Sequence, residues 1–368
     1  MERPPRLNTS TGTDQSLGRI ALRRLMRDRN AVAGLVFIGM AVLVAMLGPL
    51  IRPDRSPWAN HQVLEIKDQP PGFRATFLLA ADGEEIPLHR WERRGDSITF
   101  ERFNGFNDLL PEPLESVHAP ASLVPGDRHY LLGTDSFGRD VLSRLMAGTT
   151  ISLSVGLIAV LISLLIGIPL GALAGYFRAE APGFRLFGRR FRWPVDDAIM
   201  WLVNVIWSIP TLLLVIAITL ALGKGFVQVF IAVGLTMWVE VARIVRGETL
   251  RMREMEYVDA AKALGYTHGR IIFRHILPNV MGPVIVISAA NFATAILMEA
   301  GLSFLGIGAQ LPMVSWGGMI RSYYPYITTE LWHLALLPGV CIMLLTLAFM
   351  LVGNGLRDAL DTRGITAR

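Results

Sequence analysis

A group of five charged and small residues precedes a long uncharged stretch, and its side chains could bind a ligand. They are Asp135, Gly138, Arg139, Asp140 and Arg144. Two aspartates could ligate a metal ion, but no histidine or cysteine lies beside them to complete the usual ligand set. Both aspartates are close enough in sequence to the two arginines to form ion pairs, which removes the cost of lone charges beside an apolar phase. We therefore predict a structural polar motif and no metal site.

Glu240 is a carboxylate inside or at the edge of another apolar stretch, with Arg243 and Arg246 shortly after it. Such a group either pairs with a nearby base or takes part in proton transfer. A proton relay needs further ionisable groups along the apolar stretches, and the sequence has none. We therefore expect an ion pair between Glu240 and one of the two arginines.

The sequence contains no recognisable catalytic set. His268 and His275 have no metal-ligand pattern around them, and no nucleophile with a neighbouring base is evident. Gly223-Lys224 lacks the upstream glycine and the following Ser/Thr of a phosphate-binding loop, so the chain is not expected to hydrolyse ATP itself. We predict no catalytic residue and no cofactor.

Residues 256–278 (EYVDAAKALGYTHGRIIFRHILP) form a short polar segment between two apolar stretches. In a helix, Tyr257, Ala260, Ala261 and Leu264 would share one face. Gly265 follows where a helix C-terminus favours a left-handed residue, so the predicted helix is short. A short helix with a small-residue face, held between two apolar segments, is suited to lie in a groove of a partner protein.

The composition is that of a membrane protein, because 52% of the 368 residues are hydrophobic and 18% are charged. A membrane-spanning helix needs about 20 apolar residues. Six uncharged or nearly uncharged runs meet or approach that length, at 30–51, 145–177, 198–223, 225–242, 275–298 and 331–356. We predict an all-α polytopic membrane protein with six transmembrane helices. The glycine-rich run 300–320 is expected to be a re-entrant or surface segment.

Two features of the predicted spans bear on how they pack. Pro210 lies inside the third span, where it removes a backbone hydrogen bond and predicts a helix kink. The second span, about 149–175, is dense in glycine and serine. Small residues allow close helix approach in lipid, where apolar contact gives no preference for protein over lipid.

The distribution of basic residues predicts the orientation. Of the 35 Lys and Arg residues, 22 lie in residues 1–30, 176–195, 243–275 and 354–368, all on one side of the predicted spans. Basic residues near span ends mark the cytoplasmic side. Both termini and the segment 248–278 are therefore expected in the cytoplasm. Residues 1–15 are expected to be disordered, and residues 17–29 to form a basic interfacial helix or a solvated basic tail.

Residues 52–130, between the first two spans, then lie outside the cytoplasm. They contain nine basic and thirteen acidic residues. Three runs alternate in polarity like strands, GFRATFLL, EIPLHRWERR and SITFERF, with turn sequences at Asp82-Gly83 and Gly95-Asp96. We predict a small β-meander with proline-bearing flanks at Pro70, Pro71, Pro111 and Pro113, inserted in the membrane domain.

Residues 256–278 resemble the EAA loop of the membrane subunits of ABC importers, whose pattern is Glu-Ala-Ala, three residues, Gly, nine residues and Ile-x-Leu-Pro. Asp259 replaces the glutamate here, and His275 replaces the isoleucine. The resemblance implies contact with an ATPase subunit through one set of residues. They are Glu256, Tyr257, Asp259, Ala260, Ala261, Leu264, Gly265, Leu277 and Pro278.

Two further strings resemble the oligopeptide/dipeptide/nickel branch of these permeases. LGTDSFGRDVLSR, residues 132–144, matches the segment before the second span, and MEAGLSFLGIGAQLPMVSWGGMI, residues 298–320, matches a later segment. The resemblance covers about residues 30–52 and 130–364. It implies the core of a type I importer permease in residues 131–353, between a first helix at 31–51 and a cytoplasmic tail at 354–368.

This resemblance implies a multi-pass permease subunit in a bacterial inner membrane that forms half of a translocation pathway. Its implied partners are ABC ATPase subunits, a second homologous permease, an extracytoplasmic solute-binding protein and membrane lipid, with no nucleic acid. Peptides are the expected cargo, and nickel complexes or another small solute are the alternatives. An ion-coupled secondary transporter is a less favoured reading, because it predicts inverted repeats and midplane ionisable groups. Neither is visible in the sequence.

Overall fold

The computed structural model describes residues 17–79, 84–107, 109–118, 125–178, 183–186, 189–192, 195–223, 225–310 and 312–360. The predicted disordered tail at 1–15 and the Asp82-Gly83 turn lie outside these residues. So does the last part of the predicted C-terminal tail, 361–368.

Within these residues, five helices are long and apolar enough to cross a membrane. They are α2 (Arg29–Ile51), α3 (Val141–Phe177), α6 (Phe226–Arg253), the continuous stretch His268–Phe304 and α11 (His333–Leu360). The stretch His268–Phe304 consists of α8 (His268–Ile271), a π-helical turn (Ile272–Ile276) and α9 (Leu277–Phe304). The predicted all-α membrane architecture is confirmed, with a different form for the third span.

The third span is a broken helix. It consists of α4 (Val195–Trp207) and α5 (Thr211–Leu222), which meet at an angle of 92°. Pro210 stands at the N-cap position of α5, so its missing N–H falls where a helix has no partner for that group. The predicted kink at Pro210 is therefore a full interruption of the helix.

Helix α3 packs closely along α6 because three glycines in successive turns face it. A Cβ at Gly167 would lie 2.6 Å from Val241 Cβ, and a Cβ at Gly171 would lie 2.4 Å from the Ala242 carbonyl oxygen. A Cβ at Gly175 would lie 2.7 Å from the Arg246 carbonyl oxygen. The backbones approach to a distance that only glycine permits, as the small residues of this span predicted.

The insertion forms a five-stranded antiparallel sheet with strand order β4-β3-β2-β1-β5. Its strands are β1 (Phe73–Leu79), β2 (Glu85–Arg94), β3 (Ser97–Arg102), β4 (Glu115–His118) and β5 (Gly126–Tyr130). The three predicted strands are confirmed. Strands β4 and β5 were not predicted, because β4 is four residues long and β5 (GDRHY) lacks an alternating apolar pattern.

Both faces of the sheet carry apolar side chains. One face buries Leu78, Ile98 and Phe100 in its own small core. The other packs Phe77 and Tyr130 against Ile66, in the chain that leads into the sheet. The segment 52–72 therefore lies between the sheet and the helical part of the chain.

Helix α1 (Leu17–Leu25) begins the described chain and packs against the end of α11. Leu25 is buried with Ala31 and Ala359. The apolar face predicted for the basic interfacial helix is thus partly covered by α2 and α11. A short hairpin of β6 (Gly183–Leu186) and β7 (Arg189–Arg192) lies between α3 and α4 and was not predicted.

The run 300–320 does not behave as one segment. Its first residues continue α9 to Phe304, and its last residues begin α10 (Trp316–Tyr323). Trp316 and Met319 are buried in a core shared with α3 and α11. We predicted no seventh span here. In the described residues, the helices long enough to cross a membrane include none that is formed by this run alone.

Candidate functional site

The segment between α6 and α9 contains the predicted short helix, α7 (Glu256–Ala263). Gly265 follows it with φ of +74°, the left-handed conformation that glycine adopts without strain. The Tyr266 N–H donates to the Ala261 carbonyl at 3.1 Å, and the Gly265 N–H donates to the Lys262 carbonyl at 2.9 Å. These two bonds form a Schellman motif, which ends the helix and satisfies its last carbonyl groups.

The two alanines of α7 face different environments. Tyr257, Ala260 and Leu264 are exposed, as are Glu256 and Asp259. Ala261 is only 4% exposed and packs with Val258 in a core that includes residues of α3, α6 and α9. The predicted grouping of Ala261 on one face with Tyr257, Ala260 and Leu264 is therefore wrong, because Ala261 packs against the core of its own chain.

Aromatic and polar contacts brace this segment. The Tyr176 hydroxyl at the end of α3 lies 2.9 Å from His268 Nδ1. Tyr266 stacks on His275, with ring centroids 5.7 Å apart. The Arg270 guanidinium lies over the same Tyr266 ring, 4.0 Å from its centroid. These contacts fix the chain that follows α7 to the end of α3 and to the helical stretch that leads into α9.

The remaining residues of the predicted motif lie at the start of α9. Leu277 is half-buried against the same core as Ala261, and Pro278 is exposed in the first turn of α9. Asn279 Nδ2 lies 3.5 Å from the Tyr257 hydroxyl, so the first turn of α9 approaches α7. The sequence motif, which spans 23 residues from 256 to 278, therefore forms one compact unit.

An ion pair ties the broken span to α6. The Asp196 carboxylate at the start of α4 accepts two hydrogen bonds from Arg246, at 2.5 and 2.7 Å. This bidentate geometry is the stronger form of an arginine–carboxylate pair. Asp196 was not predicted as a partner, although a carboxylate in the first turn of an apolar helix needs a basic neighbour and could have indicated this pair.

The prediction that Glu240 forms an ion pair with Arg243 or Arg246 is wrong. Arg246 is engaged by Asp196, and the Arg243 guanidinium lies 3.8 Å from the centroid of the Trp207 ring. Glu240 is exposed and has no hydrogen-bond or ion-pair partner among the residues that the structure describes. A stacked arginine is thus unavailable to a carboxylate only one helical turn away.

The polar motif before α3 is centred on Asp135, which is completely buried. Its carboxylate accepts from Arg139 Nε at 2.7 Å and from the Tyr323 hydroxyl at 2.5 Å, and Arg144 Nε lies 3.6 Å away. The Arg139 N–H adds a hydrogen bond of 3.0 Å. Burial raises the pKa of the Tyr323 hydroxyl, which therefore remains a proton donor. The sequence did not point to this tyrosine, which lies 188 residues away.

Asp140 does not pair with an arginine, contrary to the prediction. It caps α3, accepting from the Ser143 N–H at 2.9 Å and from the Ser143 hydroxyl. Burial raises the pKa of its carboxyl, against the opposing effect of those hydrogen bonds. Arg144 instead reaches Asn60 Oδ1 at 2.7 Å. Gly138 has φ of +69°, and a Cβ there would lie 1.7 Å from the Val63 carbonyl oxygen.

The motif is thus a joint between α3, α10 and the chain leading into the insertion. In the described residues, no group of three or more His, Cys, Asp or Glu side chains is arranged to hold a metal ion. The Asp135 carboxylate is paired within the chain, whereas Asp140 Oδ1 and Arg144 Nε are buried without a hydrogen-bond partner in the part of the chain that the structure describes.

Comparisons with known proteins place this fold in a family. Residues 167–365 match the family described as binding-protein-dependent transport system inner membrane component. Residues 16–71 match the N-terminal transmembrane domain of oligopeptide transport permease C. The two matches cover the broken span, α7 with its flanking helices, and the first span.

Similar curated proteins include a dipeptide transport system permease protein of Alkalihalophilus pseudofirmus, 41% identical over 65% of this chain and 73% of that protein. An oligopeptide transport system permease protein of Bacillus subtilis is 38% identical over 65% of this chain and 73% of its own length. A putative peptide transport system permease protein of Brucella abortus is 33% identical over 94% of this chain and 91% of its own length, so the alignment includes the insertion. The chain belongs to the inner-membrane permease family of binding-protein-dependent ABC importers.

Proposed function

We propose that this chain is one of two permease subunits of an ATP-driven importer for peptides, and that α7 couples it to an ATPase subunit. The observation that carries the proposal is the exposed face of Tyr257, Ala260 and Leu264 on a helix whose opposite face is buried in its own chain. This face carries two large apolar residues, Tyr257 and Leu264, 41% and 71% exposed beside polar groups, and such an apolar group with a polar rim is suited to a protein contact.

The bracing of α7 supports a mechanical role. Motion applied to its exposed face passes through Ala261 and Val258 to the core shared with α3, α6 and α9. The Tyr176–His268 contact adds a second connection, to the end of α3. An ATP-driven rearrangement of the ATPases would move α7, and the helices would follow between inward-facing and outward-facing states. Such a shift needs contacts that differ between the two states, which the ATPase groove would supply.

The orientation proposed with this mechanism places both termini and α7 in the cytoplasm and the insertion sheet outside. It rests on the 22 basic residues on one side of the spans. A reporter fused near Arg90 should be active only outside the cytoplasm. A cytoplasmic signal at that site would overturn the orientation.

The partner subunits are tested by purifying the tagged chain in detergent and identifying what accompanies it. We expect two ATPase subunits, a second homologous permease and, when cargo is present, an extracytoplasmic solute-binding protein. Leu264→Asp should release the ATPase while the second permease remains bound. Leu114→Asp is the matched control, because Leu114 lies in the insertion and is also 71% exposed. A single chain that transports alone would overturn the proposal.

Peptides are the proposed cargo because the similar proteins named above are called dipeptide, oligopeptide and peptide permeases. A strain that lacks this chain should lose growth on peptides as the amino-acid source and regain it with the intact gene. Nickel complexes or another small solute remain the alternative cargo, and normal peptide use with defective metal uptake would favour it.

A further inference from the structure

An exposed carboxylate in the membrane domain requires an explanation that the coupling role of α7 does not provide. Glu240 lies 14 residues after Phe226, the first residue of α6. That is about 21 Å along the helix at 1.5 Å per residue. The apolar core of a bilayer is about 30 Å thick. Glu240 is therefore within the membrane, and its side chain is too short to reach the surface as lysine or arginine would.

The break in the third span lies at the same depth along α6 as Glu240. Helix α4 packs its Val203 against Trp238, Val239 and Ala242, and α5 packs its Val215 against the preceding part of α6. The residues between them, 208–210, are exposed. The stacking of Arg243 on Trp207 fixes the end of α4 one helical turn from Glu240.

The Glu240 carboxylate and the interrupted backbone at 208–210 are thus both exposed at one depth of the membrane. Irregular backbone at membrane depth is tolerated where it is covered by protein or lines a water-filled cavity. The same holds for an intramembrane carboxylate, which faces the interior of a bundle or an aqueous cavity. Lipid is excluded as the neighbour of both, which leaves either the surface of a partner subunit or a water-filled cavity beside them.

We propose that Glu240 and the break at 208–210 line the water-filled translocation pathway, and that the Glu240 carboxylate binds the cationic group of the cargo in transit. For a peptide this group is the α-amino group. Arg243 forms no ion pair with the carboxylate, since its guanidinium lies over the Trp207 ring. This inference rests on the proposed transport function and adds a specificity-determining residue to it.

The water-filled pathway is tested by cysteine labelling of the whole complex in lipid nanodiscs, where both membrane faces are accessible. Cys341 is the single cysteine of the chain, so a Cys341→Ala background is free of other thiols. Glu240→Cys should react with a membrane-impermeant methanethiosulfonate reagent in at least one state, without nucleotide or with ATP and vanadate. Glu92→Cys, on the exposed insertion, is the positive control. Leu165→Cys, 75% exposed on the apolar surface of α3, should stay unlabelled.

The role of the charge is tested by uptake of a radiolabelled tripeptide with a free α-amino group. Glu240→Gln keeps the size and removes the charge, and should lower uptake by about tenfold, the effect of losing one hydrogen bond to a charged group. Glu240→Asp should restore much of the uptake. Expression and ATPase binding should remain unchanged in both variants.

The outcomes separate this inference from the proposed function. Lack of labelling at Glu240→Cys in both states would overturn the inference, as would normal uptake by Glu240→Gln. Loss of the second permease from Glu240→Gln would instead assign the carboxylate to an ion pair between subunits, which also overturns it. Absence of tripeptide uptake by the unaltered complex would contradict the proposed cargo, while the labelling result would still decide whether Glu240 lies in an aqueous pathway.

Discussion

The Asp135 motif and helix α7 are both short polar segments beside long apolar helices, yet they use their polar groups in opposite ways. Asp135 is buried and its carboxylate receives bonds from Arg139, Tyr323 and two backbone N–H groups. Helix α7 buries Val258 and Ala261, while Glu256, Asp259 and the following Leu264 are exposed. One segment is complete within the chain, and the other keeps a face uncovered.

This difference separates a structural role from a binding role more clearly than the sequence motifs do. Both segments match strings found in related permeases, so a motif match alone cannot distinguish them. A buried network whose members satisfy one another stabilises the joint that it forms. An exposed apolar and charged face on a rigid helix offers contacts that a second protein can use.

The largest expected effect is from Asp135→Asn. The substitution leaves Arg139 and Arg144 buried without their carboxylate, and breaking a buried pair from one side costs about 3–5 kcal/mol. The thermal unfolding midpoint of the purified complex in detergent should fall markedly. The complex that remains folded should still bind the ATPase.

Glu92→Gln is the control for this substitution, because its ion pair with Arg94 is exposed, with side-chain exposures of 66% and 73%. Exposed pairs contribute about 0–1 kcal/mol. If Asp135→Asn shifted the midpoint no more than this control, the network would not be the stabilising joint described here.

Tryptophan at the two adjacent alanines of α7 tests the comparison within one helix. Ala261→Trp should destabilise the chain by about 1–3 kcal/mol, because the added volume overfills a packed core. Ala260→Trp should leave the unfolding midpoint unchanged and weaken ATPase binding in a pull-down assay. The reverse pattern would show that Ala261, and not Ala260, faces the partner.

Gly265 provides a smaller and purely conformational test. No atom lies within 4 Å of a Cβ added at this position, so a substitution meets only the cost of its φ of +74°. That cost is about 1–2 kcal/mol for most residues. Gly265→Val should increase hydrogen exchange in residues 256–266 and weaken ATPase binding, while membrane insertion continues.

Gly265→Asn is the matched control, since asparagine tolerates the left-handed conformation better than other non-glycine residues. It should fall between the natural chain and the valine variant in both measurements. Equal effects of valine and asparagine would argue against backbone strain as the cause.

The sequence was informative where a feature depends on nearby residues. The apolar runs predicted the long helices, Gly265 predicted the end of α7, and alternating polarity predicted β1, β2 and β3. These features follow from periodicity and from local backbone preferences, which a single sequence contains.

The failures concern choices between partners that lie far apart in the chain. Arg246 selects Asp196 over the nearer Glu240, and Arg243 selects the ring of Trp207. Ala261 turns inward because α9 covers it, although the helical pattern alone groups it with Ala260. Tertiary packing decides these cases, and neither spacing nor residue type indicates which neighbour will be present.

The smallest expected effect is a pH dependence confined to the insertion sheet. The Arg128 guanidinium donates two hydrogen bonds to Glu85 and holds the pKa of that carboxyl below its usual range, although partial burial acts in the opposite direction. His61 Nε2 lies 2.9 Å from the same carboxylate and adds to the lowering. The folded-state pKa is thus lower than the unfolded value of about 4.3.

A lowered carboxyl pKa contributes stability that is present above the unfolded pKa and is lost as the pH falls through the folded one. The loss should therefore begin below about pH 4.5 and stay under about 1 kcal/mol, because solvent screens these partly exposed groups. Hydrogen exchange of the β1 and β2 amides in the full complex measures it, with the same amides in the Glu85→Gln variant as the reference. Glu85→Gln should remove the pH dependence, and its persistence in that variant would assign the effect to another group.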